Sequence, residues 1–230
     1  MNRIKNFTRP GKYKILLFSF LLLMFGDILV PEGYSGVAHM IFILQNMFVG
    51  LIIFYRLKKL RYLIITTILL SVLIRIIYLF PNYRVFGLHR WLAIIYILYY
   101  LMVAGRIYRD IYSTKTISAE TLSAVLCGFI LLCLTGTFLF FQIEVVHPNS
   151  FSGLGQKLSG LSDLNYFSLQ TLTTTCLGDI KPVTLVAKKA VMLIAFIGHF
   201  YSVFVISIMV GKYISHSEIK FLQNKNASIN

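Results

Sequence analysis

The chain has 230 residues, of which 57% are hydrophobic and only 13% charged, yet its formal net charge is +14. That balance fits a polytopic membrane protein and excludes an ordinary soluble domain. Because the basic residues cluster between apolar runs of near membrane-spanning length, the charge sets topology and does not mark a nucleic-acid surface.

Six spans are predicted in chain order: Ile15 to Val30, Val37 to Tyr55, Tyr62 to Phe80, Trp91 to Gly105, Thr121 to Gln142 and Ala190 to Gly211. The first and fourth are short, and flanking Tyr, Lys and Arg side chains that sit at the interface lengthen both. With the amino terminus inside, the cytoplasmic segments hold 15 of the 22 basic residues, from Arg3 to Lys14, Arg56 to Arg61, Arg106 to Lys115 and Lys212 to Lys225. The other side keeps Arg84, Arg90, Lys157, Lys181, Lys188 and Lys189, so the positive-inside bias places both termini in the cytoplasm, and the plasma (inner) membrane is the expected location. Gly36, Val37 and Ala38 make a weak cleavage site, and the first span is expected to be an uncleaved signal anchor. Asp27 in the first span and Arg75 in the third lie at similar depth, and a static buried ion pair is expected of them, since an unpaired intramembrane charge is costly. The lone cysteines Cys127, Cys133 and Cys176 suggest neither a disulfide scaffold nor a zinc site.

After the fifth span comes a polar, glycine-bearing stretch, Glu144 to Gly160, and then an apolar segment near Asp163 to Thr173 that suits a half-membrane helix capped by Ser162 or Asp163. Such a helix points the negative end of its dipole at the membrane centre, where it favours a cation. Next stands YFSLQTLTTTCLGDIKPVT, Tyr166 to Thr184, which at membrane depth must be shielded by protein or line a water-filled path. The threonine run alone would fit a helix whose hydroxyls bond back to its own carbonyls.

Taken together, Tyr166, Phe167, Ser168, Thr171, Thr173, Thr174, Gly178, Asp179, Pro182 and Thr184 resemble the pore signature of potassium channels, YFSxxTxTTxGYGDxxPxT. The resemblance covers the pore loop closely and the last span loosely. It implies an all-α integral membrane fold of six transmembrane helices, with a re-entrant pore helix and filter loop between the fifth and sixth, assembled as a homotetramer in the bilayer. The domains would be a tail at 1–14, a four-helix membrane domain at 15–115, a pore domain at 116–214 and a tail at 215–230. The resemblance further implies that Thr174, Thr175, Cys176, Leu177 and Gly178 line the filter with carbonyl and hydroxyl oxygens that replace a cation's hydration shell. Asp179 would brace the filter exit with Gln170 as its pore-helix partner, and Gly198 would be the hinge of the last helix.

Two residues depart from that pattern. Cys176 replaces the first filter glycine and Leu177 the aromatic residue. A Cβ in a left-handed conformation costs about 1–2 kcal/mol, and leucine lacks the hydroxyl that could hold the filter at one width. The expected activity is conduction of monovalent cations, most of all potassium with sodium as a further permeant ion, with selectivity weakened at these positions. The alternative is a non-conducting or regulatory membrane subunit that retains the channel fold. No catalytic group and no cofactor is expected. The fourth span carries no charge before Arg106, so an arginine array for voltage sensing is absent. A stimulus would act on the membrane part or through a separate regulatory partner. Cys176 reads as packing, or as a soft-metal ligand if four thiols met. His199 reads as a proton sensor at the hinge or as an imidazole hydrogen-bonded between helices, the latter preferred, and the same choice holds for His39. His147 reads as solvated.

Overall fold

The computed structural model describes residues 11–31, 35–54, 58–79, 88–113, 119–155, 160–205, 207–209, 211 and 214. Helix dominates because the chain is rich in long apolar runs with few internal breakers, and helices satisfy their own backbone polar groups. The elements are α1 (Lys12–Phe25), α2 (Ser35–Ile53), α3 (Lys58–Leu79), α4 (Leu88–Ser113), α5 (Ala119–Val146), β1 (Phe151–Ser152), α6 (Gly160–Leu172), β2 (Lys181–Pro182) and α7 (Leu185–Phe200). A 3-10 turn, Gly26–Leu29, follows α1, and a wide π turn, Tyr201–Val205, continues α7.

Among the described residues, three helical stretches are long and apolar enough to cross a membrane: Arg90–Ser113, Glu120–Val146 and Leu185–Met209. Ile41–Leu51 and Leu60–Ile74 are shorter apolar stretches. The boundaries differ from the sequence expectation where polar residues found partners. α4 runs past Gly105 to Ser113 because Arg106 and Asp110 pair within one turn, at 3.2 Å, while Ile107 and Ile111 stay buried against the rest of the bundle. α7 begins five residues before Ala190, since Thr184 caps it by accepting the Ala187 N–H and the exposed Lys188 and Lys189 project from its first turns. α1 begins at Lys12, inside the segment assigned to the tail, because Glu120 of α5 accepts the backbone N–H groups of Gly11 (3.0 Å) and Tyr13 (2.8 Å). An anion at a helix start satisfies orphan donors and complements the dipole.

Two apolar cores result. The larger joins α1 to α5 around Tyr13, Phe20, Met47, Tyr99, Tyr100 and Phe138. The smaller lies where α5, α6 and α7 meet, with Phe140, Phe151 and Phe167 in mutual ring contact at 5.4–5.6 Å between centroids. Polar contacts add to the packing: Ser168 donates to the Cys133 carbonyl (2.7 Å), and Thr137 bonds the Asn165 side chain (3.2 Å). In an apolar solvent such contacts and close packing, more than the hydrophobic effect, hold helices together.

Candidate functional site: a loop slung between α6 and α7

The chain leaves α5, passes through β1, descends α6 and returns through an extended stretch to β2. Antiparallel pairing of Phe151 with Pro182 and Ser152 with Lys181 closes this excursion at its base. Glu144 secures the turn after α5 by accepting the N–H groups of Asn149 (2.7 Å) and Phe151 (3.0 Å). Gly153 then passes so close that a Cβ would sit 2.1 Å from the Asp179 carbonyl oxygen, and its φ of 88° adds a second requirement for glycine. Sequence reasoning missed both Glu144 and Gly153. α6 starts at Gly160, three residues before the expected Asp163, and Asp163 accepts the Gly155 N–H (2.8 Å) from within the first turn.

Thr173 to Asp179 form an unbroken exposed run. Within it the backbone alternates hand: Thr174, Cys176 and Gly178 have φ of 58°, 42° and 84°. Two of these carry a Cβ, where left-handed backbone is strained. Hydrogen bonds hold the strain. The Thr174 N–H donates to the Thr171 carbonyl (3.2 Å), the Thr175 N–H to the Gln170 carbonyl (2.9 Å), and the Thr173 and Thr175 hydroxyls meet at 2.8 Å.

Gln170 is the connecting residue. Buried on α6, it accepts the Leu177 N–H at Oε1 (3.3 Å) and donates from Nε2 to Asp179 Oδ1 (3.4 Å). One amide thus reaches both the middle and the end of the extended run. The Tyr166 hydroxyl also bonds Asp179, which with the Ile180 N–H and Gln170 outweighs the opposing effect of desolvation and holds the carboxyl below its usual range. Leu177 makes no comparable side-chain bond and is 68% exposed.

Gly198 lies on the buried face of α7, where a Cβ would come within 2.6 Å of Leu172 Cδ1 and 2.9 Å of the Leu172 carbonyl oxygen. The observed reason for glycine here is therefore close approach to the end of α6.

Residues 125–215 match the family model described as Ion channel. Over this segment the chain is similar to ion channels. No curated protein and no solved structure matches the chain.

The remaining sequence candidates are dispersed. The side chains of Asp27 and Arg75 lie outside the described residues, as does that of His39. The ionic cluster that the structure does describe went unread in the sequence: Asp110 receives Lys12 (3.0 Å), Arg106 (3.2 Å) and the Tyr13 hydroxyl in a largely buried setting that ties α1 to α4. A charge pattern fixes topology by counting, but pairing across 98 residues of chain requires the packed helices. His147 is exposed. His199 is exposed too, and among the described residues it has no hydrogen-bond partner.

Proposed function

We propose that the protein is a cation channel in which four copies surround one pore and potassium is the main permeant ion. The observation that carries this reading is the exposed, hand-alternating run Thr173 to Asp179, tethered at its middle and far end by Gln170, inside a segment that matches an ion-channel model. Polar backbone with no protein cover on its own chain requires either water or further subunits at membrane depth. The apolar α7 surface, with Met192, Leu193, Phe196 and Phe200 exposed, supplies area for lipid and for neighbouring copies.

Alternation of backbone hand lets successive carbonyls in an extended stretch point to one side. Thr174, Thr175, Cys176, Leu177 and Gly178 would then offer oxygens to a dehydrated cation, and the carboxyl end of α6 would add a favourable potential. Asp179, Gln170 and Tyr166 would keep that stretch at one width. Cys176 and Leu177 weaken the hold: the first through strain, the second through the missing hydroxyl, so sodium is excluded less strictly than in a filter with glycine and tyrosine there. The arrangement would comprise six spans with both termini cytoplasmic, in the plasma (inner) membrane, without a cofactor or a catalytic step.

The experiment is planar-bilayer recording of the purified protein in asymmetric potassium and sodium. Cation current with a reversal potential displaced modestly toward potassium is expected. Absence of current from folded protein would instead favour a non-conducting subunit that retains the fold.

A further inference from the structure

We propose that His199 lines the water-filled path on the inner side of the filter, where its protonation lowers cation flux. This rests on the channel reading above and adds a regulating residue to it.

α7 has three faces. Ala187, Ala190, Ile194 and Gly198, continued by Tyr201, are buried against the same chain. Phe196, Phe200 and Phe204 form a ladder, with centroids 4.4 and 5.3 Å apart, on a cleft of about 410 Å³ whose other walls include Tyr108, Tyr112 and Leu132. Helical spacing puts Met192, Ala195, His199 and Ser202 on the third, with His199 about 100° from both Gly198 and Phe200. The aromatic face suits lipid or an apolar neighbour; the third is the one that carries polar side chains, His199 and Ser202, beyond the exposed Met192.

An imidazole well inside the apolar stretch Leu185–Met209 is costly against hydrocarbon. Ionisable side chains at such depth face protein or water. His199 is uncovered by its own chain, and so it faces the axis around which the copies assemble. Gly198 fixes the level, since it abuts Leu172, the last residue of α6, immediately before the exposed run begins at Thr173.

Among the described residues the acidic groups of neighbouring elements are engaged elsewhere, while Lys181 of β2 and Arg109 of α4 are exposed. Glu120 holds the start of α1, Glu144 the turn after α5, Asp163 the Gly155 N–H and Asp179 the Gln170 amide. Asp110 holds Lys12 and Arg106. Lys188 and Lys189 are on α7 itself, about three turns nearer the filter exit. The Tyr201 and Tyr108 hydroxyls bond the carbonyls of Val125 and Gly128, while the thiols of Cys127 and Cys133 contact the carbonyls of Tyr13 and Asn165. Imidazoles as a class take up protons in the range of about pH 8 to 5. In a tetramer, up to four positive charges would then stand where a cation waits to enter the filter.

The test records single-channel potassium current while pH on the inner side is stepped from about 8 to about 5.5, a range spanning imidazole titration. The native current falls several-fold, H199A is nearly insensitive, and H199K conducts weakly throughout. In a second measurement, H199C is blocked by a cationic methanethiosulfonate applied from the inner side, whereas native channels treated alike keep their current. A channel that conducts while H199A titrates like the native protein, or H199C that conducts unchanged after reagent, overturns the inference and leaves the channel reading intact. Absence of any current from native protein overturns the channel reading, and this inference falls with it.

Discussion

Replacing Gln170 by alanine removes the only side chain that bonds both Leu177 and Asp179 among the described residues. Two contacts are lost, at 3.3 and 3.4 Å, both at the long end of the hydrogen-bond range. A net hydrogen bond contributes about 1 kcal/mol, so loss of the Leu177 contact should cost at most about that much per subunit, and the exposed Asp179 loses one of the groups that orient it. Four subunits share one pore in the proposed assembly, and the loss recurs in each. The assay pairs thermal dissociation of the detergent-solubilised oligomer with bi-ionic reversal potentials in potassium and sodium. Q170A should dissociate at lower temperature and discriminate less between the two ions. The companion Q170E puts an oxygen where Nε2 now donates, facing Asp179 at 3.4 Å. Two carboxyl groups at that separation disfavour double ionisation, so its defect should ease as pH falls and one of them takes a proton. In the native protein the sign is opposite. Asp179 is held below the usual carboxylate range, so its contribution is present above that range and is lost as pH falls through the lowered value. Q170A with native dissociation and native reversal potential would refute the bridging role.

C176G should relieve the left-handed Cβ at φ 42°, stabilising the filter by about 1–2 kcal/mol per subunit and shifting the bi-ionic reversal potential toward potassium. E120A leaves the N–H groups of Gly11 and Tyr13 without their acceptor, and thermal unfolding should show a loss of about 1–3 kcal/mol. G198A drives a Cβ against Leu172, including a backbone oxygen that cannot rotate away, and should cost about 1–3 kcal/mol by the same measure. G105A meets nothing within 4 Å and should be neutral or stabilising by up to about 1 kcal/mol, as expected for alanine in a helix.

Several features were legible because they depend only on composition and order. Long apolar runs in a chain with few charges dictate helices, and α5 and α7 fall on the segments read as the fifth and sixth spans. Tyr166 to Thr184 carry enough fixed spacings to announce an ion-channel loop, and residues 125–215 match that family. Helix ends were less legible. The ends of α1, α4 and α7 are set by Glu120, Asp110 and Thr184, each acting through a partner that local periodicity does not identify. Lys12 and Tyr13, counted with a tail by position, are buried because α4 and α5 present carboxylates to them.

The sequence by itself determined the apolar, helical character of the chain and the resemblance its loop bears to ion channels, because transfer free energies and motif spacing are properties of residues in order. Only the tertiary structure decided how the loop is held. That Gln170 touches Leu177 and Asp179 at once, that Gly153 admits the Asp179 carbonyl, and that Gly198 abuts Leu172 follow from α5, α6 and α7 meeting at one place. Close approach is a property of packed surfaces, and packing brings together residues that no local pattern connects.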